Sequence, residues 1–394
     1  MTIAATVKSS RFSDLAKLAA SESRIADFVE NRMTDEHGLL FSHLHARTLK
    51  PWTKKQIEKF GIELPYYSRR RGDTAGQLAY EDSLMATGEY AKSLILKFMA
   101  TGDATALARA AGPVSALLRV LEEGRKYEPG FLPKPHGGML RAAFSHEISV
   151  DQYIKTITAL RMWQSYCGPA RKKIIDEYFV AIADYHLARK FVHPRRESFI
   201  VTPENRTHGI ALFIPILVLA HKITGQEEYR ESIGRFGRVL ADLLKGKPPT
   251  NCNIVSLFME GFDLALREGH GDDRLKQLIE KLWRARMRDS ESRGLWNDDP
   301  GQTFSSSRAL RIAAFAPIVD RYVTGAEAWK VGIHLLKNMT DPKTMLYDNS
   351  KNNQRSGYYP NLTICETSIT SWLAGYWGLR REAAEKGAFP GASG

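Results

Sequence analysis

One short motif recurs three times and limits, more than any other feature, what this chain can fold into. Met99-Ala-Thr-Gly-Asp103, Lys222-Ile-Thr-Gly-Gln226 and Tyr322-Val-Thr-Gly-Ala326 each close a long apolar helical pattern and open an amphipathic one. Glycine just past a helix end accepts the left-handed conformation that terminates the last turn. The next helix starts almost at once, so each Thr-Gly joins two antiparallel helices by a tight turn.

Reading outward from these turns predicts twelve helical segments. Those before the short turns lie near 77–101, 149–167, 206–224, 253–269, 304–324 and 364–381. Those after them lie near 103–123, 169–190, 226–245, 271–289 and 325–340, with 12–33 completing the second set. The first set is the more apolar: Ile210 to Ala220 is apolar nearly all round, as in a helix buried on every side. The second set is amphipathic; over Tyr229–Leu244 apolar residues return every three or four positions. Two concentric layers follow. Pro215 and Pro317 are expected to kink their helices, and Gly112-Pro113 to break the segment 103–123. Strand signals are scarce.

The connections are asymmetric. Turns from the first set to the second are tight. The returns, near 35–76, 124–148, 191–205, 246–252, 290–303 and 341–363, are long. All long connections therefore emerge on one face, around the N-termini of the buried helices. Long loops in a compact domain usually carry function, and helix N-termini favour anionic groups. The start of each buried helix is where a site is expected.

Composition narrows the classes. The 394 residues are 43% hydrophobic and 25% charged, ordinary for a chain that buries a core. The expectation is one domain over 1–394, with 1–76 an outer helix plus a long loop and 382–394 a flexible tail. No unbroken apolar run reaches the roughly 18 residues of a membrane span, and Met1–Ser13 lacks a signal peptide's apolar region. A cytoplasmic protein without membrane partners is expected. Three distant cysteines, Cys167, Cys252 and Cys365, argue for reduced thiols. The net charge of +12 favours an anionic partner, but it is scattered and no nucleic-acid-binding pattern accompanies it, so nucleic acid is not the expected ligand.

The rhythm over about 77–381, with its Thr-Gly turns, resembles the six-hairpin glycosidase-like superfamily, whose fold is an (α/α)6 toroid. That family contains glycoside hydrolases, polysaccharide lyases and sugar epimerases. The resemblance implies an all-α ring of six inner and six outer helices acting on a saccharide, possibly an anionic one.

Candidate residues gather at the predicted helix starts. Glu81 and Asp82 either supply a general acid or base or only stabilise a first turn. In His146-Glu147-Ile-Ser-Val-Asp151-Gln152, Ser149 and Gln152 fit a capping box; this leaves His146 and Glu147 unexplained. The resemblance to unsaturated glucuronyl hydrolases of this fold, in which an aspartate near a buried helix start is general acid and base, implies that role for Asp151. Asn205, Arg206 and His208 are either a helix cap or, by similarity to heparinase-type lyases, groups that neutralise a uronate carboxyl and remove the C5 proton. Trp296, Asn297 and Asp298 form a sugar subsite or a turn. Tyr358 and Tyr359 line the cleft or are simply buried. Thr363 and Glu366 fit a second capping box, so Glu366 is expected to be structural.

Three functions remain open. The first is a glycoside hydrolase with Asp151 as acid or base and Glu81, Asp82 or Glu147 as partner; a carboxylate separation of about 5–5.5 Å would mean retention and about 6.5–9.5 Å inversion. The second is a lyase using Asn205, Arg206, His208 and a tyrosine. The third is a non-catalytic binding or scaffold protein. No metal-ligand spacing stands out and no cofactor is implied. No GxGxxG, Walker, HExxH or GxSxG motif occurs.

Overall fold

The computed structural model describes residues 13–60, 74–139, 148–195, 199–201, 207–296, 307–346 and 362–385. In chain order the ring helices are α1 (Ala19–Phe28, running into a π turn over Val29–Met33), α2 (Ser83–Thr101) and α3 (Ala104–Arg125). They continue with α4 (Val150–Trp163), α5 (Pro169–Ala188), α6 (Ile210–Thr224), α7 (Glu227–Gly234) and α8 (Gly237–Lys245). The last are α9 (Cys252–Arg267), α10 (Asp273–Arg293), α11 (Arg311–Tyr322), α12 (Ala328–Asn338) and α13 (Glu366–Glu385).

Helices α2, α4, α6, α9, α11 and α13 touch one another in that order, and α13 returns to α2. Six inner helices thus close a circle. The others pack outside it: α3 on α2, α5 and α7 on α6, α10 on α9, α12 on α11, and α1 on α13. This is the (α/α)6 toroid. Ile210–Ala220 of α6 is buried throughout, whereas α10 buries Leu275, Leu278, Ile279 and Leu282 along one stripe. The hairpin glycines Gly102, Gly225 and Gly325 have φ of +72°, +72° and +71°, the left-handed conformation that the Thr-Gly reading requires. The three cysteines form no disulfide.

Some expectations are corrected. Gly112-Pro113 does not break its segment; α3 runs through Pro113, which is buried. The third outer segment is the broken one, between α7 and α8 at Arg235-Phe236. The last inner helix continues past residue 382 to Glu385. Helix α3 has the length and composition of a membrane span, but half of its apolar window is buried in the ring.

Strands are few and short, and they matter for position. β1 (Leu44–His45) lies between β2 (Lys50–Pro51) and, much later in the chain, β5 (Thr363–Ile364); between these, β3 (His193–Arg195) and β4 (Phe199–Val201) form a separate hairpin. Leu44 pairs with Ile364 and His45 with Thr363, antiparallel. The first long connection is thereby fastened beside the start of the last inner helix.

Inner helices approach until backbones nearly touch. A Cβ on Gly261 (α9) would lie 1.9 Å from the Ala211 carbonyl oxygen of α6, and one on Gly88 (α2) 2.7 Å from that of Lys155 in α4. The axis between the helices is filled by ions rather than left open. Lys155 bonds Glu89 and, at 2.6 Å, Glu260; Lys92 bonds Glu260 at 2.8 Å. These two lysines and two glutamates are all buried. Burial alone would raise the Glu260 carboxyl, but Lys155 and Lys92 outweigh it and hold its pKa at about 2. The next layer joins Arg321 of α11 to Asp263 of α9 and Glu382 of α13.

Three variants test this packing. Gly261→Ala should destabilise the fold by about 1–3 kcal/mol through overpacking. Gly112→Ala, where an added Cβ meets nothing within 4 Å, should stabilise it by about 0.5–1 kcal/mol; denaturant midpoints of the two variants should move in opposite directions. Lys155→Met leaves two buried glutamates with Lys92 as their one remaining cation and should cost about 3–5 kcal/mol, measured by the same unfolding curves.

Candidate active site

The N-terminal ends of α2, α4, α11 and α13 meet at the long-loop face, and their first residues carry charge. Asp82 precedes α2, Asp151 is in the first turn of α4, Arg311 opens α11 and Glu366 opens α13. Two long connections add to them: His43 comes from the segment before β1, and Lys134 from the loop after α3.

Backbone bonds set this arrangement. Ser42 N–H donates to the Ala79 carbonyl at 2.7 Å, and the Ser42 hydroxyl accepts from Asp82 N–H at 2.8 Å. His43 Nδ1 is 3.1 Å from the Leu78 carbonyl. That contact makes Nδ1 the protonated nitrogen. Strand pairing of Leu44 with Ile364 then delivers Glu366 to the same place. Ligand atoms of His43, Asp82 and Glu366 all lie within 4.8 Å of one another.

Each carboxylate has a distinct setting. Glu81 is buried and paired with buried Lys134 at 3.0 Å. Asp82 is half-buried, and its side chain makes no cap bond to α2. Burial and the negative charge of Asp151 raise its pKa against the pull of Lys134, Arg311 and Arg308. Asp151, also half-buried, accepts from the Ser149 hydroxyl and, at 2.9 Å, from the Gln152 backbone N–H. Glu366 is fully buried, and among the described residues its carboxyl meets no hydrogen-bond donor of another residue, only its own backbone N–H. Burial first, then the Asp82 charge, pushes its pKa up to about 8. Burial lowers His43 to about 3, so its ring is neutral at neutral pH.

Both capping-box readings are overturned. The Ser149 hydroxyl turns to Asp151, and the Gln152 side chain crosses to the Glu81 carbonyl at 2.6 Å. Gln152 is therefore buried between α4 and the start of α2, not on the open face. Thr363 lies in β5 with its hydroxyl unpartnered among the described residues, and the Glu366 carboxyl lies beside Asp82 and His43. At this convergence the Gln152 side chain satisfies the neighbouring segment instead of its own.

Of the other expected residues, His208 is half-buried in the 3-10 turn Thr207–Gly209 that leads into α6. Trp296 is half-buried against the core after α10. His146, Glu147, Asn205, Arg206, Asn297, Asp298, Tyr358 and Tyr359 lie outside the described residues. The sequence reading missed His43, Lys134, Arg308, Arg311 and Glu366. Arg311 had a usable signal, a charge at the start of an otherwise apolar inner helix. The others are brought in by contacts distant in sequence.

His43, Asp82 and Glu366 have donor types and spacing that would accommodate a divalent cation. Lys134 and Arg308 already act on His43, and Arg311 on both carboxylates, so positive charge is supplied by the protein itself.

A raised carboxyl carries a pH signature. The stability conferred by the Glu366 proton is complete below its ordinary pKa of 4.5 and is lost as pH rises to about 8. Glu366→Gln, which cannot ionise, should flatten the decline of unfolding free energy across that window. Parallel wild-type and variant profiles would contradict this.

The chain matches no protein-family model and no curated protein. It does resemble solved structures. An unsaturated glucuronyl hydrolase specific for heparin superposes with a TM-score of 0.54 at 12% identity, covering 94% of this chain and 98% of that one. An unsaturated glucuronyl hydrolase responsible for the degradation of glycosaminoglycan, from Bacillus sp. GL1, gives a TM-score of 0.46 at 15% identity over 73% and 84%. The first likeness shows the shared toroid fold over nearly the whole of both chains.

Proposed function

We propose that this chain is a glycoside hydrolase acting on an oligosaccharide with an acidic sugar, and that Asp82 and Asp151 are its catalytic carboxyl pair. One observation carries the reading: two half-buried carboxyl groups from adjacent inner helices stand together at the long-loop face, and burial with the charge of Asp151 raises the pKa of Asp82. Burial and the charge of Asp151 favour the acid form of Asp82, whereas Asp151 stands as an acceptor of two hydrogen bonds on one oxygen. Environments that push two titratable groups apart assign the acid and the base.

In this reading Asp82 gives its proton to the sugar as the bond to the leaving group weakens. Asp151 takes a proton from the attacking water. Arg308 and Arg311, with the net charge of +12, suit an anionic substrate. The fold neighbour named for heparin and glucuronyl groups supports an unsaturated uronyl saccharide as the first substrate to try.

Such a sugar has a carbon–carbon double bond conjugated to its carboxylate, and therefore absorbs in the ultraviolet. Cleavage that consumes the unsaturated residue should lower that absorbance. A lyase working through Asn205, Arg206 and His208 would instead raise it on saturated uronate polymers. Asp151→Asn and Asp82→Asn should each lower kcat/KM by about 10²–10⁴-fold. Full activity in Asp151→Asn would overturn the assignment. No absorbance change across a broad panel, with a mouth that still binds protein partners, would point to a scaffold.

A further inference from the structure

Glu81 and Asp82 form the turn between the short helix Thr74–Tyr80 and α2. Helix ends leave backbone groups without a partner in their own helix. Here the peptide group that joins the two residues is held at both ends by side chains from elsewhere in the chain. Its carbonyl, on Glu81, accepts from Gln152 Nε2 of α4 at 2.6 Å. Its N–H, on Asp82, donates to Ser42 Oγ, from the segment before β1, at 2.8 Å. Ser42 and Gln152 are both buried.

Gln152 also holds the other member of the carboxyl pair. Its backbone N–H donates to Asp151 Oδ1 at 2.9 Å. One residue therefore bonds the Asp151 carboxylate with its main chain and the Asp82 peptide with its side chain. Because a carbonyl only accepts, the Gln152 amide presents Nε2 to Glu81; its Oε1 has no partner among the described residues. The close packing of Gly88 on Lys155 fixes the bodies of α2 and α4. Asp82 lies more than a helical turn before Gly88 and outside α2, so that contact does not place its carboxyl. The Asp82 side chain makes no cap bond to α2 either.

We propose that Gln152, with Ser42 at the other end of the same peptide, is the positioning residue that sets the separation of the Asp82 and Asp151 carboxyl groups. Both side chains are too buried to touch a sugar; they act only through the pair. The separation of such a pair decides whether a water fits beside the sugar, and a misplacement of about 1 Å can cost about 10²-fold in rate. The role in turnover rests on the hydrolase reading, but the clamp on the separation does not.

Gln152→Met keeps the side chain's length and removes its amide. Crystal structures of the full-length wild type and variant, without substrate, test the clamp. The separation of the Asp82 and Asp151 carboxyl groups should change by about 1 Å, the misplacement that matters for rate, while the bodies of α2 and α4 superpose. An unchanged separation would overturn the proposal, whatever the activity. If Gln152→Met does not fold, Ser42→Ala, which removes one oxygen at the other end of the peptide, carries the same expectations. With a saccharide that the wild type turns over, kcat and kcat/KM should fall together by about 10²-fold, KM staying nearly constant. Tyr229→Phe removes a hydrogen bond of the outer layer, to Asp184 at 2.6 Å, and should leave kcat at the wild-type value. An equal loss of kcat in Tyr229→Phe, or a shifted separation with wild-type kcat in Gln152→Met, would overturn the positioning role. If no saccharide is ever turned over but the separation shifts as expected, the hydrolase reading fails and the clamp stands.

Discussion

Six helices arranged around an axis cannot all touch at the centre, and the way the axis is filled governs the rest of this molecule. Here it is filled by matched charge. Lys92 and Lys155 meet Glu89 and Glu260, and one layer along, Arg321 meets Asp263 and Glu382. Long side chains reach the axis where short apolar ones would leave a void, and each buried ion has an opposite neighbour. Unpaired, any of them would be strongly destabilising. Five of the six inner helices contribute to these layers. The sixth, α6, contributes none of these ions and is instead apolar throughout its buried length.

This filled axis gives the ring two unlike ends. At one, hairpins close with left-handed glycines and little else. At the other, helix N-termini converge with their partial positive charge pointing into the mouth. Acidic residues there are held by helix ends and by Lys134, Arg308 and Arg311. They are also crowded enough to repel one another, so that some keep protons at neutral pH. Such crowding is what general acid chemistry needs.

The convergence also explains where the sequence reading went astray. Ser149 with Gln152 and Thr363 with Glu366 each have the spacing of a capping box. In an isolated helix that spacing would satisfy the helix's own N–H groups. In the ring, another segment lies within reach. Gln152 therefore reaches Glu81, and the Glu366 carboxyl lies beside Asp82. Asp82 and Asp151 were visible because topology alone puts them at helix starts. His43 and Lys134 were not, because each sits in a long connection whose path depends on strand pairing and packing with distant segments.

What the sequence determined by itself was local and periodic. The recurrence of apolar residues set which helices are buried, and glycine's access to positive φ set where hairpins turn. Together they oriented the two faces. Tertiary structure alone decided ring closure, the pairing of Leu44 with Ile364, and the meeting of residues 43, 82 and 366. The physical reason is range. Helical period and turn conformation depend on neighbours a few residues away, while the protonation of Asp82 depends on charges that only the closed ring brings within reach.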